Sequence, residues 1–167
     1  MKYSANPQIL KKEDLAEVAW EAIAPLWDDL PYSNAKMLDA FFADITAGQK
    51  ALISIDWCLK EIRNDSIKQL FENSTGNLVP YAIEGFTLIG ATVYASVLRK
   101  ASQLLGQEYP KTASARRRAL KALSESQRKK LASLDEQFFE LIFSEEHDIE
   151  KYRGGYVMDN PAQFIDS

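Results

Sequence analysis

Few side chains in this sequence are equipped for catalysis. There is one cysteine, Cys58, and one histidine, His147. A nucleophilic triad or a common transition-metal site needs a histidine beside an oriented partner. His147 lies in SEEHDIEKY with no second histidine to complete a metal pair, and it reads as a solvated helix residue. Cys58 lies in the apolar run IDWCL, where a thiol serves as core packing and not as a nucleophile. The seven glycines are scattered, so no phosphate-cradling loop is formed. The NSTG segment at 73–76 has backbone donors for an anion, but a helix-linking turn suits it better. Carboxylates are abundant, yet no spacing marks a hydrolytic pair. Asp28-Asp29 and Glu145-Glu146 are adjacent and point to different helix faces. The expectation is a binding protein, not an enzyme, with no catalytic residue, metal or cofactor.

Charge is the remaining chemistry, and its distribution is uneven. Residues 13–98 sum to −8, residues 99–130 to +8 and residues 131–167 to −7, within a chain of net charge −4. Such asymmetry steers charged partners unless folding mixes the segments into neutral faces. The basic feature is Arg116-Arg117-Arg118, Lys121 and Arg128-Lys129-Lys130. It has the charge to track a phosphate backbone, but no aromatic residues are interleaved with it. Three consecutive arginines spread over about 200° of a helix and share no face. Pairing with Glu125, Asp135 or the acidic helices is the expected role, with no direct nucleic-acid binding.

The acidic feature is Glu13, Asp14, Glu17 and Glu21, joined by Asp28, Asp29, Asp39, Asp44 and Asp56. Carboxylates four residues apart on a helix are about 6 Å apart along its axis. Phosphates along one DNA strand rise by about 3.4 Å each. A row of such carboxylates is thus spaced to occupy lysine and arginine sites made for DNA. Charge spacing alone also fits a helix face that merely keeps the protein soluble.

The elements that carry these residues read as helices nearly throughout. Leu15, Val18, Ala22 and Ile23 recur at steps of three and four, opposite the Glu13, Glu17, Glu21 stripe. Pro25 stops or kinks that helix, and residues 1–12 read as a flexible arm before it. Met37, Leu38, Phe41, Phe42 and Ile45 mark a second helix. Thr46 with Gln49 forms a capping box for a third, running from about Ala47 to Arg63. A short helical turn carries Leu70 and Phe71. FENSTGNLVP then reads as a loop, with Pro80 in the first turn of the next helix. Helices over 80–89 and 91–105 break at Gly90 and Gly106, and the uncharged 91–98 stretch belongs in the core. Residues 107–115 read as an exposed loop. Ser124 with Gln127 caps a helix to about Phe143, and Glu145–Arg153 reads as the last helix, stopped by Gly154-Gly155. Phe164 is placed to pack back. The expected fold is all-α: a single compact multi-helix domain over 13–167 with short connections.

Bulk properties agree. The length, 46% hydrophobic residues and 26% charged residues suit one globular domain with a full core. A lone cysteine fits a reducing compartment. The opening MKYSANPQILKKED lacks the apolar run of a leader, and no stretch approaches the roughly 20 apolar residues of a membrane span. A cytoplasmic location without membrane attachment is expected.

Three blocks carry a resemblance. They are IKQLFENSTGNLVPYAIEGFTLIGA, RRRALKALSESQRKKLASLDEQFF and EKYRGGYVMDNPAQF. Their order and spacing, over roughly residues 35–165, resemble the DNA-mimic protein family. That family was founded on a neisserial DNA mimic of about this size. One departure is LKEIRNDSIKQL, where family members often carry an asparagine- and glycine-rich stretch. The resemblance implies an all-helical homodimer. It also implies a surface of carboxylates that imitates duplex DNA and blocks a transcription factor, typically of helix-turn-helix type, from its operator. A generic protein-interaction module of the same family, without mimicry, is the alternative.

Overall fold

Side-chain caps start most of the helices. The computed structural model describes residues 1–166. Among them nine α-helices run in order, with no strand: α1 Leu15–Ile23, α2 Ala35–Ala43, α3 Ala47–Asn64, α4 Ile67–Glu72, α5 Val79–Leu88, α6 Thr92–Gln103, α7 Ala113–Lys121, α8 Glu125–Ile142 and α9 Ile149–Asp159. Asp14, Asn34, Thr46, Ser66, Thr112, Ser124 and Asp148 each accept from backbone N–H groups in the first turn they precede. Each such cap stabilises its helix by about 1 kcal/mol. Both expected capping boxes, Thr46 with Gln49 and Ser124 with Gln127, are formed in both directions.

The core is organised around α3, which buries Leu52, Ile53, Ile55, Cys58, Leu59 and Ile62. Helix α5 lies along α3, α6 packs on α5, and α8 covers α6. Tyr94 of α6, in the uncharged stretch, is fully buried between Phe86 and Phe138. Its hydroxyl sits 2.7 Å from the carbonyl oxygens of Leu141 and His147, which ties α6 to the end of α8. Gly90 separates α5 from α6 at φ +83°, a left-handed conformation that only glycine adopts cheaply.

Helix α1 packs mainly on α9. The expected stop at Gly154-Gly155 is not where the last helix ends. Helix α9 starts at Ile149 and runs through both glycines to Asp159, because Gly154 is a contact surface. A Cβ there would collide with the Leu15 carbonyl oxygen. The missing side chain lets the two helix backbones touch.

Residues 1–12 are not a loose arm. Ile9 is fully buried in a 3₁₀ turn over Pro7–Lys11, and Tyr3 and Ala5 are buried. The Ala5 N–H donates to the Phe164 carbonyl at 2.8 Å. Apolar residues spaced too sparsely to show a period still find a groove, here one made with Phe164, which packs back as expected.

Candidate partner-binding surface

The expected acidic residues fall into three groups. Glu13, Asp14, Glu17 and the adjacent pair Asp28 and Asp29 are exposed, while Glu21 is half-exposed. Helix α1 begins only at Leu15, so Glu13 precedes it and helical spacing joins Glu17 to Glu21 alone. Asp14 is the N-cap, accepting from the Ala16 N–H at 2.9 Å. Its carboxylate is partly committed to the helix. Lys12 bridges Glu17 at 2.5 Å and Glu21 at 2.9 Å. Those hydrogen bonds, to Glu17 first, raise the Lys12 pKa above its usual value. The strip is therefore less negative than its sequence suggests.

Asp39 and Asp44 belong to α2, the latter as its C-cap, and both are exposed. Asp39 accepts from the Tyr81 hydroxyl. Burial first, then that hydrogen bond, pushes the Tyr81 pKa up to about 12. Asp29 likewise accepts from Tyr3 at 3.0 Å.

Asp56 does not belong to the surface. Its side chain is 11% exposed and forms an ion pair with Arg153, itself 5% exposed. Arg153 also donates to Glu150 at 2.6 Å, and Glu150 takes Arg63 at 3.2 Å. Burial raises the Asp56 pKa to about 6, against the opposing pull of Arg153. A carboxylate on α3 pointing toward α9 serves an internal network; the sequence alone did not show which face of α3 would be covered.

The basic segment shows the expected pairing only at Glu125. Among the described residues no ion pair joins residues 99–130 to the acidic segments; the one bridge there is Lys129 with Glu125, within α8. Asp135 instead accepts from the Ile67 N–H at 2.7 Å. Arg116 is fully buried, yet its partners are carbonyls and an amide: Phe71 O at 2.8 Å, Asn73 O at 2.9 Å, Asn77 Oδ1 at 3.0 Å and Pro110 O at 3.2 Å. Burial lowers its pKa. Arg117 and Arg118 are exposed, consistent with consecutive residues facing different ways.

Arg116 explains the NSTG segment. Instead of an open loop, Ser74–Leu78 form a 3₁₀ turn with Thr75 and Gly76 buried. Glu61 of α3 accepts from Asn73 and Thr75 on one side, each at 3.0 Å. Arg116 takes the carbonyls on the other. The turn's groups are spent on holding α3, α4 and α7 together, so no free anion cradle is left there.

Cys58 is fully buried, and burial pushes its thiol pKa well up. His147 is not on a helix but half-buried in the turn before α9, with no partner for Nδ1. No three His, Cys, Asp or Glu side chains among the described residues gather as a metal site. Among the same residues, no helix is long and apolar enough to cross a membrane.

A feature the charge pattern did not point to is aromatic. All three tryptophans converge: Trp20 and Trp27 edge to face at 5.1 Å, Trp27 and Trp57 stacked at 4.4 Å. Trp20 remains 44% exposed on α1, one residue from Glu21. Trp20 and Trp27 are near neighbours in sequence, but Trp57 lies well beyond them on α3, so only the packing joins all three.

The model of the DMP19-like protein family matches residues 43–160, well over half of the chain. The chain belongs to this family. It is the DNA-mimic family that the three sequence blocks resemble, and the match takes in the Glu61–NSTG–Arg116 clamp. No curated protein and no solved structure matches the chain. Of the expected acidic residues only Asp44 and Asp56 lie inside the family match. The DMP19-like region is thus chiefly the frame, and α1 with its carboxylates is mounted on it through α9.

Proposed function

We propose that the chain is a DNA mimic that acts as a homodimer and blocks a bacterial helix-turn-helix transcription factor from its operator. Family membership supports the class of function. The observation that carries the reading for this chain is the set of exposed carboxylates Glu13, Asp14, Glu17, Asp28 and Asp29 at its amino-terminal side, extended by half-exposed Glu21. Asp39 and Asp44 add exposed charge on α2, whereas Asp56 is withdrawn from the set by Arg153. The neighbouring cations do not fully cancel the strip, because among the described residues Lys12 alone bridges it. A homodimer would present two such strips, one for each phosphate row of a duplex. The exposed Phe139–Phe143 pair, with rings 5.0 Å apart, is apolar surface that a second copy would cover.

The test is a gel-shift competition with the host's helix-turn-helix regulators, each on its labelled operator, across a salt series. The protein should displace a regulator from DNA, and Glu17→Lys with Glu21→Lys should weaken displacement and flatten its salt dependence. Displacement of no regulator would leave the generic interaction module as the better reading. Sedimentation of the free protein checks the dimer.

A further inference from the structure

Beside the acidic strip lies a cleft of about 390 Å³, within the ~300–1,000 Å³ range of small-molecule sites. It is lined by Trp20 and Trp27, by the cations Lys60, Arg63 and Arg153, and by the carboxylates Asp56 and Glu150. Three cations against two carboxylates make this lining net positive, in a chain whose net charge is −4. Arg153 uses its two terminal nitrogens on Asp56 and Glu150. Its Nε is buried and has no hydrogen-bond partner, and neither does the buried indole nitrogen of Trp57. Lys60 makes no ion pair among the described residues; its ammonium lies over the rings of Trp57 and Trp27, at 4.6 and 5.2 Å from the centroids. A cation held only by ring faces is free to take an anion as well.

We propose that this cleft binds a small planar aromatic anion. The ring stacks on the exposed face of Trp20. The anionic group lies between Lys60 and Arg63. A nucleoside monophosphate and an aromatic carboxylate share this chemistry. The site is independent of DNA mimicry, since it takes an anion where the strip takes a cationic protein.

All three tryptophans are in this cluster, so the intrinsic fluorescence of the full chain reports occupancy directly. The probes are AMP, 2-naphthoate, adenosine and inorganic phosphate. AMP or naphthoate should quench saturably in the micromolar to millimolar range, and whichever does so identifies the source. Adenosine should bind at least tenfold more weakly than AMP, and phosphate alone should not quench. Lys60→Ala should weaken the effective anion about tenfold, with Lys60→Arg restoring most of it. Circular dichroism should show both variants folded. No saturable quenching by either anion, or undiminished affinity in folded Lys60→Ala, would overturn the proposal.

Discussion

The acidic amino-terminal strip and the arginine-led segment are near mirror images in sequence, and the fold treats them differently. Most of the acids on and around α1 stay at the surface, one lysine bridging two of them. The basic segment is divided: Arg116 goes fully inside while Arg117 and Arg118 stay out. The buried guanidinium has no carboxylate partner and rests on four neutral acceptors. Five N–H groups in a rigid fork can satisfy carbonyls converging from several elements, which a compact ammonium cannot. A run of like charge is thus no guide to how many of its members act at the surface.

The largest test of this contrast is Arg116→Ala. It strips partners from four acceptors and opens the joint between α3, α4 and α7, which should cost on the order of 4 kcal/mol in urea unfolding. Arg116→Lys should recover less than half of that. Arg118→Ala, at an exposed position, should change stability by no more than about 0.5 kcal/mol. Equal costs for Arg118→Ala and Arg116→Ala would erase the division between inner and outer arginines.

Next is the mounting of the strip itself. Gly154→Ala puts a methyl against the Leu15 backbone and should cost about 3 kcal/mol by forcing α1 off α9. Its thermal midpoint should drop while Gly155→Ala, with nothing within 4 Å, leaves it nearly unchanged.

A smaller effect separates Asp56 from the exposed acids. Its pKa in the folded chain is raised from 3.8 to about 6, so its contribution to stability is present below the lower value and lost as pH rises through the upper one. Wild type should therefore lose on the order of 2 kcal/mol relative to Asp56→Asn between pH 3.8 and pH 7. Parallel unfolding curves at several pH values read this, and a constant difference would return Asp56 to the exposed set.

The smallest effect on stability, within about 0.5 kcal/mol, belongs to Glu17→Lys. It sharpens the comparison through binding instead: Glu17→Lys should weaken a cationic partner, whereas Lys12→Ala, which frees both carboxylates, should strengthen it.

Local signals made much of the fold legible. The 3.6-residue period, the two capping boxes, and the glycine at the α5–α6 break are contained within a few residues each, and they appear where expected. Two signals of the same kind misled. Gly154-Gly155 resembles a helix stop but is a helix–helix contact. NSTG resembles an open loop but is a buried turn gripped from both sides. In each case the deciding atoms, of Leu15, Glu61 and Arg116, are remote in sequence. The candidate surface was legible as charge, since exposure is the default for Asp and Glu. Asp56 is the exception because its partner Arg153 arrives from the far end of the chain.

The sequence by itself determined the helices, the two capping boxes, the family and the sign of each segment, because these rest on local spacing or on the linear order of the residues. Only the tertiary structure decided which charges are spent inside. It withdrew Asp56, bridged Glu17 and Glu21 with Lys12, buried one arginine of three and gathered three tryptophans beside a positive cleft. Whether a charge remains available depends on which distant groups cover it, and covering is a property of packing.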